Sequence, residues 1–351
     1  MITKEVFSFE NLVKRTYSLF IAVGASDRAA KLSAEGLVEA DARGLSSHGL
    51  MLLPMYLERI EQGSVDPSSV NEIVSDLGAL ISIDCHNGLG QVSAQDAMEL
   101  AIERAKTHGV AVVVAKNAFH FGGAYRYSSL AAAAGMIGVA AANTRPLMPV
   151  PGGAYAVVGN NPISFSMPRL GEDALTVDFA LSEAALGKVR LAEAEGTEIP
   201  STWATDSSGK PTTNAADAIK GMLLPAGGSK GFGLALVIDM LSGVLSGGGF
   251  GAGVKGLYAD FSEPYNSSNF FLAINASALD DGFAQRATRL AIAVHDSPMI
   301  DPGNTARLPG ERSKQNYERS LKDGVQLNPS VVKDLEKWEI RLKTRNGDKS
   351  K

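Results

Sequence analysis

The sequence predicts a protein of mixed helices and strands, with a central sheet domain flanked by a helical domain that both chain ends build. Three observations carry this. Apolar residues recur at helical spacing as far as Gln62, short β-branched runs alternate with helical stretches in the middle, and the helical pattern returns at the end.

The first helix is read from Val13, Tyr17 and Phe20, and Gly24 ends it. The second runs from a Ser26-Asp27 start through Ala30, Ala34, Leu37 and Val38 to Gly44, and a third lies near Leu52 to Gln62. From Asn71 the texture changes to ALISID (79–84), VAVVVA (110–115), MIGVAAAN (136–143) and SNFFLAIN (268–275), which read as strands. Helical stretches fall between them: SAQDAMELAIERAKTHG, closed by Gly109, and a segment from about Tyr125 to Gly135. This alternation fits an α/β or α+β domain. GFAQRATRLAIAV (282–294) returns to helix, Val331, Leu335, Trp338 and Leu342 mark a last one, and the closing RNGDKSK reads as a frayed end. The expected division is 1–70 plus 295–351 for the helical domain and 71–294 for the sheet domain.

Composition narrows the function classes. The 351 residues are 45% apolar and 20% charged, the balance of a soluble globular protein large enough for a sizeable core. A net charge of −5 without a Lys/Arg run argues against nucleic acid as a partner. One cysteine, Cys85, rules out an internal disulfide and reads as a small hydrophobe in a strand. The opening MITKEVFSFENLVKR has no secretory apolar core, and no window approaches the ~18 apolar residues of a membrane span, so the chain is expected in the cytoplasm with no membrane partner. Metal binding is not expected: there is no H-x-x-x-H or H-E-x-x-H spacing and the acidic residues are scattered.

Three stretches carry candidate chemistry. GAGVKG (251–256) is formally G-x-G-x-x-G, but it trails an apolar helix instead of following a strand, so a standard Rossmann site is not supported. In LLPAGGSKGFGLALVIDMLSGVLSG (223–247), Gly227 and Gly228 loosen the backbone, Ser229 can cap, and Lys230 opens an apolar helix. Free N–H groups, the positive dipole end and a lysine suit a phosphate or carboxylate; a glycine-rich turn with a solvated lysine is the competing reading. Only Asp239 is charged between Leu234 and Leu245, so this helix is expected to be buried. In NAFHFGGAYRY (117–127), His120 follows a strand where sheet proteins bind ligands, against the plainer reading of a hydrogen-bonded structural histidine. His48, in DARGLSSHGLMLLPMY, is either a catalytic imidazole or a helix-junction residue. Ser46 and Ser47 beside it give no support to a nucleophile–base pair, because adjacent residues on a helix point apart.

Read together, DARGLSSHG, LPMYLERIEQG, NAFHFGGAYRYSSLAAAAGMIGVAAANTRP, GNNPISFSMP, TVDFALSEAALGKV, IPSTWATDSSGKPTT, LLPAGGSKGFGLAL and ARLPGERS resemble the malate/L-lactate dehydrogenase family, in order along nearly the whole chain. The resemblance implies an α+β fold: a central mixed-sheet cofactor domain of non-Rossmann type, a helical domain from both termini, and a homodimer. It implies NAD or NADP as cofactor and hydride transfer to or from a small 2-hydroxy/2-oxo acid. His48 matches the family's Ser-His-Gly histidine, the acid/base at the substrate oxygen, with Ser47 beside it at the substrate. An imidazole suits that work because it titrates near neutrality. His120 matches the second histidine, and the two can trade roles. For the cofactor, the resemblance implies Phe121, Gly122 and Gly123 at the nicotinamide; Asp178, Phe179, Ala180 and Ser182 around it; Lys230 and Gly231 at the phosphates; and Gly310, Glu311 and Arg312 from a late loop.

Two departures matter. Many family members carry an arginine four residues after the first histidine, which pairs with the substrate carboxylate; here it is Leu52. The family's Gly-Thr-Asn-Pro becomes Gly159-Asn160-Asn161-Pro162, placing Asn160 near the substrate. Arg145 is the candidate replacement cation, and Arg126 a weaker one. A cyclic-imine reductase acting on pyrroline- or piperideine-2-carboxylate is the nearest alternative, and a catalytically silent binding protein of the same fold is the alternative of another class.

Overall fold

A computed structural model of the chain describes residues 4–348. The strands are β1 (Glu5–Phe7), β2 (Glu72–Asp76), β3 (Leu80–Asp84), β4 (Val110–Ala118), β5 (Ile137–Ala142), β6 (Met148–Pro149), β7 (Ala156–Val158), β8 (Ile163–Arg169), β9 (Glu172–Phe179), β10 (Ser267–Ile274) and β11 (Val325–Leu327). The α-helices are α1 (Phe9–Ala22), α2 (Asp27–Ala42), α3 (Leu53–Glu61), α4 (Gly90–His108), α5 (Tyr125–Ala133), α6 (Leu186–Glu195), α7 (Ala215–Lys220), α8 (Ser229–Asp239), α9 (Phe283–His295), α10 (Glu311–Asp323) and α11 (Pro329–Asp348). Each helix expected from spacing is present. Ser26 caps α2 by accepting from Ala29 N, and Gly109 ends α4 in the left-handed region at φ +79°. Helix α11 runs to Asp348, and the end of the segment expected to fray lies outside the described residues.

The central sheet has the order β2-β3-β4-β10-β5-β8-β9. Only β3 and β4 run parallel among its neighbouring pairs, joined through α4, so the sheet is mixed. Alternation along the strands splits the core. Val113, Ala115, Ala140, Phe271 and Ala273 pack with α4 and α5, whereas Val139, Ala141, Phe270 and Leu272 pack with α8 on the other face. Both chain ends meet in a third core: β1 pairs with β11, and Leu12, Phe20, Leu37, Leu57, Leu335 and Trp338 share one cluster. The α+β class, the mixed sheet and the helical layer from both ends are therefore as expected from the sequence. Among the described residues no helix is long and apolar enough to cross a membrane.

Three expectations are corrected. β8 and β9 were not foreseen: β9 is an edge strand whose exposed residues carry little alternation, whereas β8 is an internal strand whose alternating ISFSMP was read only as part of the family resemblance. Cys85 sits just past β3, buried where the chain leaves the sheet. The apolar helix is also not buried on all sides: Ala235 and Ile238 face the sheet, while Leu234, Val237, Met240 and Val244 are 41–52% exposed. A charge-poor helix reads as buried whether its second face meets this chain or another.

Arg59 is fully buried in the helical layer, with no carboxylate partner among the described residues. Its guanidinium donates to Gly256 O (3.0 Å), Leu257 O (3.1 Å), Glu263 O (2.9 Å) and Ser64 Oγ (3.2 Å), tying the 256–263 loop to α3. Arg59→Met keeps the apolar stem but orphans those carbonyls. It should cost about 2 kcal/mol of stability, read as a lower urea midpoint; an unchanged midpoint would show that solvent replaces the guanidinium without penalty.

Candidate active site

His48 lies in a 3₁₀ turn, Ser46–His48, between α2 and a second short turn that leads into α3. Asp41 anchors this junction: its carboxylate accepts from Leu50 N at 2.7 Å. A Cβ at Gly49 would stand 2.3 Å from the Asp41 carboxyl group, so a side chain there would displace this anchor. Enclosed with one backbone donor, Asp41 is pushed up to about 7. Ser47 Oγ lies 3.0 Å from His48 Nδ1. Adjacency did not predict this contact, since neighbours on an α-helix diverge, but the segment is a tight 3₁₀ turn.

His120 comes from the far end of β4, and its ring stacks on His48 with centroids 5.8 Å apart and planes 22° from parallel. The fold thus joins two histidines 72 positions apart. Burial lowers His48, and burial together with the neighbouring His48 lowers His120 to about 3, so both rings are neutral at pH 7. A neutral imidazole can take a proton.

Tyr56 and Gln91 belong to this cluster; Tyr56 lies in the LPMYLERIEQG stretch but was given no role there, and Gln91 lies in none of the quoted stretches. Tyr56 Oη lies 2.7 Å from His120 Nδ1 and donates to His120 O at 2.7 Å, while Gln91 Nε2 donates to Tyr56 Oη at 2.9 Å. Position was the one available signal: Tyr56 follows His48 by eight residues, about two helical turns. Glycine is required below, where a Cβ at Gly90 would stand 2.4 Å from His120 O.

The cofactor candidates form a continuous strip beyond His120. Phe121 is buried with its carbonyl held by Tyr127 Oη at 2.6 Å, and Gly122 turns the chain at φ +83°. Gly123 leaves no room for a Cβ, which would meet the Tyr125 ring at 2.4 Å. Tyr125 N then donates to Asp178 at 3.1 Å, joining the start of α5 to the end of β9. Phe179 is 40% exposed and Ala180 partly exposed. Ser182 pairs with Pro225 in a β-bridge and donates to Ala184 O, while Ala226 N donates to Leu181 O. This carries the strip to α8. Gly231 packs so closely on that turn that a Cβ would be 2.2 Å from Ala226 O, and Lys230 is exposed with no ion-pair partner among the described residues. Helix α8 has no side-chain cap: Gly228, not Ser229, occupies the N-cap position. Gly310, at φ +90°, abuts Thr176 O on β9. Glu311 is engaged locally, with oxygens on His295 Nε2 (2.7 Å) and Leu308 N (3.0 Å), and Arg312 is exposed beside it.

These features fit a dinucleotide. Uncapped N–H groups and a free ammonium at α8 suit phosphate, and the glycines at 122, 123, 231 and 310 hold the backbone close or turn it where side chains do not fit. Among the described residues no group of three or more His, Cys, Asp or Glu could hold a metal ion.

Around the histidines, Leu52 is buried in the helical core and offers nothing to an anion. Arg126 is committed to Glu39 and Glu35 on α2. It lines a separate cavity of about 660 Å³ that contains none of the other expected site residues. Arg145 is exposed, with its side chain against Gly256 and no carboxylate partner among the described residues. Asn160 accepts from Thr144 Oγ1 at 3.0 Å and from Leu181 N at 2.7 Å, so it ties Arg145's loop to the strip. Gly187, in the first turn of α6, lies against the histidine turn: a Cβ there would stand 3.6 Å from the Ser47 Cβ.

Residues 7–336 match the family model described as malate/L-lactate dehydrogenase. The chain is 35% identical to a solved sulfolactate dehydrogenase from Methanocaldococcus jannaschii, with a TM-score of 0.91 over 96% of this chain and 97% of that one. It is 33% identical over 319 residues to a (2R)-3-sulfolactate dehydrogenase (NADP(+)) of Chromohalobacter salexigens, covering 91% of this chain and 93% of that protein. A ureidoglycolate dehydrogenase (NAD(+)) of Escherichia coli is 35% identical over 309 residues, covering 86% of each.

Proposed function

This chain belongs to the malate/L-lactate dehydrogenase family, and from that premise we propose that it is a NAD(P)-dependent dehydrogenase of a small 2-hydroxy/2-oxo acid. The observation that carries the reading is the pair of stacked neutral imidazoles at the start of the glycine-lined strip. When bound, the nicotinamide supplies hydride chemistry. Phe121, Gly122 and Gly123 would flank that ring, Asp178 to Ser182 would wrap the cofactor, and Lys230 with Gly231 would hold its phosphates, with Gly310 and Arg312 closing from the side.

The protein's own task is the proton. As the substrate C–H bond gives up its hydride, the hydroxyl becomes a carbonyl and its proton must leave. A neutral imidazole of His120 or His48 within reach of that oxygen accepts it, and returns it to the developing alkoxide in the reverse direction. Ser47, on His48 Nδ1, holds that ring and faces the same substrate.

A substrate carboxylate needs a cation, and Arg145 is the one we assign. Because Arg145 is exposed, its contribution is smaller than that of a buried pair. Arg145→Ala should raise KM for a carboxylate substrate by roughly fivefold, about 1 kcal/mol, with kcat little changed; an unchanged KM would move the anchor elsewhere.

The exposed apolar row on α8 and the helical turn that continues it, Met240–Val244, supports a homodimer, since a stripe of Leu234, Val237, Met240 and Val244 left in water is unfavourable. Assaying 2-oxo acids, cyclic imines and neutral ketones with NADH and NADPH tests the activity. Reduction of 2-oxo acids is expected; cyclic imines alone as substrates would replace this reading, and binding of neither cofactor would end it.

A further inference from the structure

Tyr56 Oη has three polar neighbours, and counting protons among them settles the state of His120. The oxygen lies 2.7 Å from His120 O, 2.7 Å from His120 Nδ1 and 2.9 Å from Gln91 Nε2. Two oxygens 2.7 Å apart need a hydrogen between them, and a carbonyl has none to offer. The single hydroxyl proton therefore points at His120 O. Both lone pairs of the hydroxyl must then accept, one from the Gln91 amide and one from His120 Nδ1. That requires the His120 proton to sit on Nδ1, and each of the three contacts at the hydroxyl then has one donor and one acceptor.

Turning the Gln91 amide over would place its oxygen on the hydroxyl, setting two acceptors against one proton and still leaving Nδ1 as the donor. The alternative, in which the hydroxyl donates to Nδ1, presses two oxygen lone pairs together at 2.7 Å inside a buried cluster. Gln91 is 1% exposed and Tyr56 fully buried, so no water can relieve that repulsion. The cluster is also rigid. The Tyr56 ring is held edge-on by Phe20 and Phe119, and Phe119 in turn meets Tyr265.

We propose that Tyr56 and Gln91 are positioning residues that lock His120 as its Nδ1–H tautomer, so that Nε2 is the atom that exchanges the substrate proton. The proposal rests on the dehydrogenase reading of His120. In the oxidation direction the substrate O–H bond breaks, its proton goes to Nε2, and its electron pair forms the carbonyl as the hydride leaves carbon for the cofactor. The resulting imidazolium keeps the same Nδ1–H donor to Tyr56, so no hydrogen bond around the ring is remade on either side of the step. Reduction reverses each transfer.

The test is ¹⁵N NMR of histidine-labelled protein at pH 8, with the His120 signals assigned by their loss in His120→Asn. In the unmodified chain Nδ1 is expected to show the shift of a protonated ring nitrogen and Nε2 that of an unprotonated one. The reverse pattern, or an averaged one, would overturn the lock while leaving the dehydrogenase reading intact. In Tyr56→Phe the pattern is expected to average, and kcat to fall while KM holds. Orienting partners of metal-bound histidines are worth ~10–100-fold in activity, and a loss of that size is expected here. An unaveraged pattern with full kcat in Tyr56→Phe would also overturn the lock. The expected shifts together with full activity in His120→Asn would instead remove His120 from the reaction, and the proposed exchange at Nε2 with it.

Discussion

His120→Ala is expected to lower kcat by about 10²–10⁴-fold in both directions, the range general acid–base groups supply. The ring is held by Tyr56 and stacked on His48, so the loss is chemical and KM for the cofactor should hardly move. His48→Ala is the matched control, and the larger of the two losses identifies the group that carries the proton. The pH profile is a second readout. An ordinary imidazole titrates near 6.5, but burial and the neighbouring His48 hold His120 at about 3. The protonated, inactive form of the base therefore accumulates only far into acid. The acid limb of kcat/KM for oxidation in free enzyme should lie well below 6.5. Burial lowers His48 as well, so position alone does not separate the two rings; an acid limb that vanishes in His48→Ala would assign the base to His48 instead.

Gly90→Ala should lower kcat by about 10²-fold although residue 90 presents no chemistry. A methyl group there would stand 2.4 Å from His120 O, 2.5 Å from Phe119 O and 2.6 Å from His120 C, all backbone atoms that cannot swing aside. The loop must shift, and with it the carbonyl that holds Tyr56. A displacement near 1 Å at a reacting group costs about this much. Circular dichroism and the melting transition separate misplacement from unfolding: a folded variant with full activity would mean that the loop absorbs the methyl without moving the ring.

Much of this architecture was legible because it is local. The helices at both ends and the strands at 110–115 and 268–275 follow from periodicity that any chain with a buried face must show. Lys230 was proposed by a similar rule, a lysine after two glycines at the start of an apolar helix. Edge strand β9 was missed because an exposed strand has no reason to alternate. The α8 surface was misjudged because apolar character does not name the partner that covers it. Tyr56 and Gln91 were invisible for a different reason. Neither residue type signals catalysis by itself, and both act only through a histidine that the fold brings to them.

Sequence alone determined the helix and strand pattern, the resemblance to a family of dehydrogenases, and the loss at Leu52 of an arginine that many of its members carry. Tertiary structure decided that His48 and His120 stack, that Arg126 is consumed by Glu39 while Arg145 has no carboxylate partner among the described residues, and which nitrogen of His120 holds its proton. The division has a physical cause. Periodicity and capping are set within a few residues of chain, whereas desolvation, ring stacking and the direction of a hydroxyl proton depend on groups that meet only when distant segments close together.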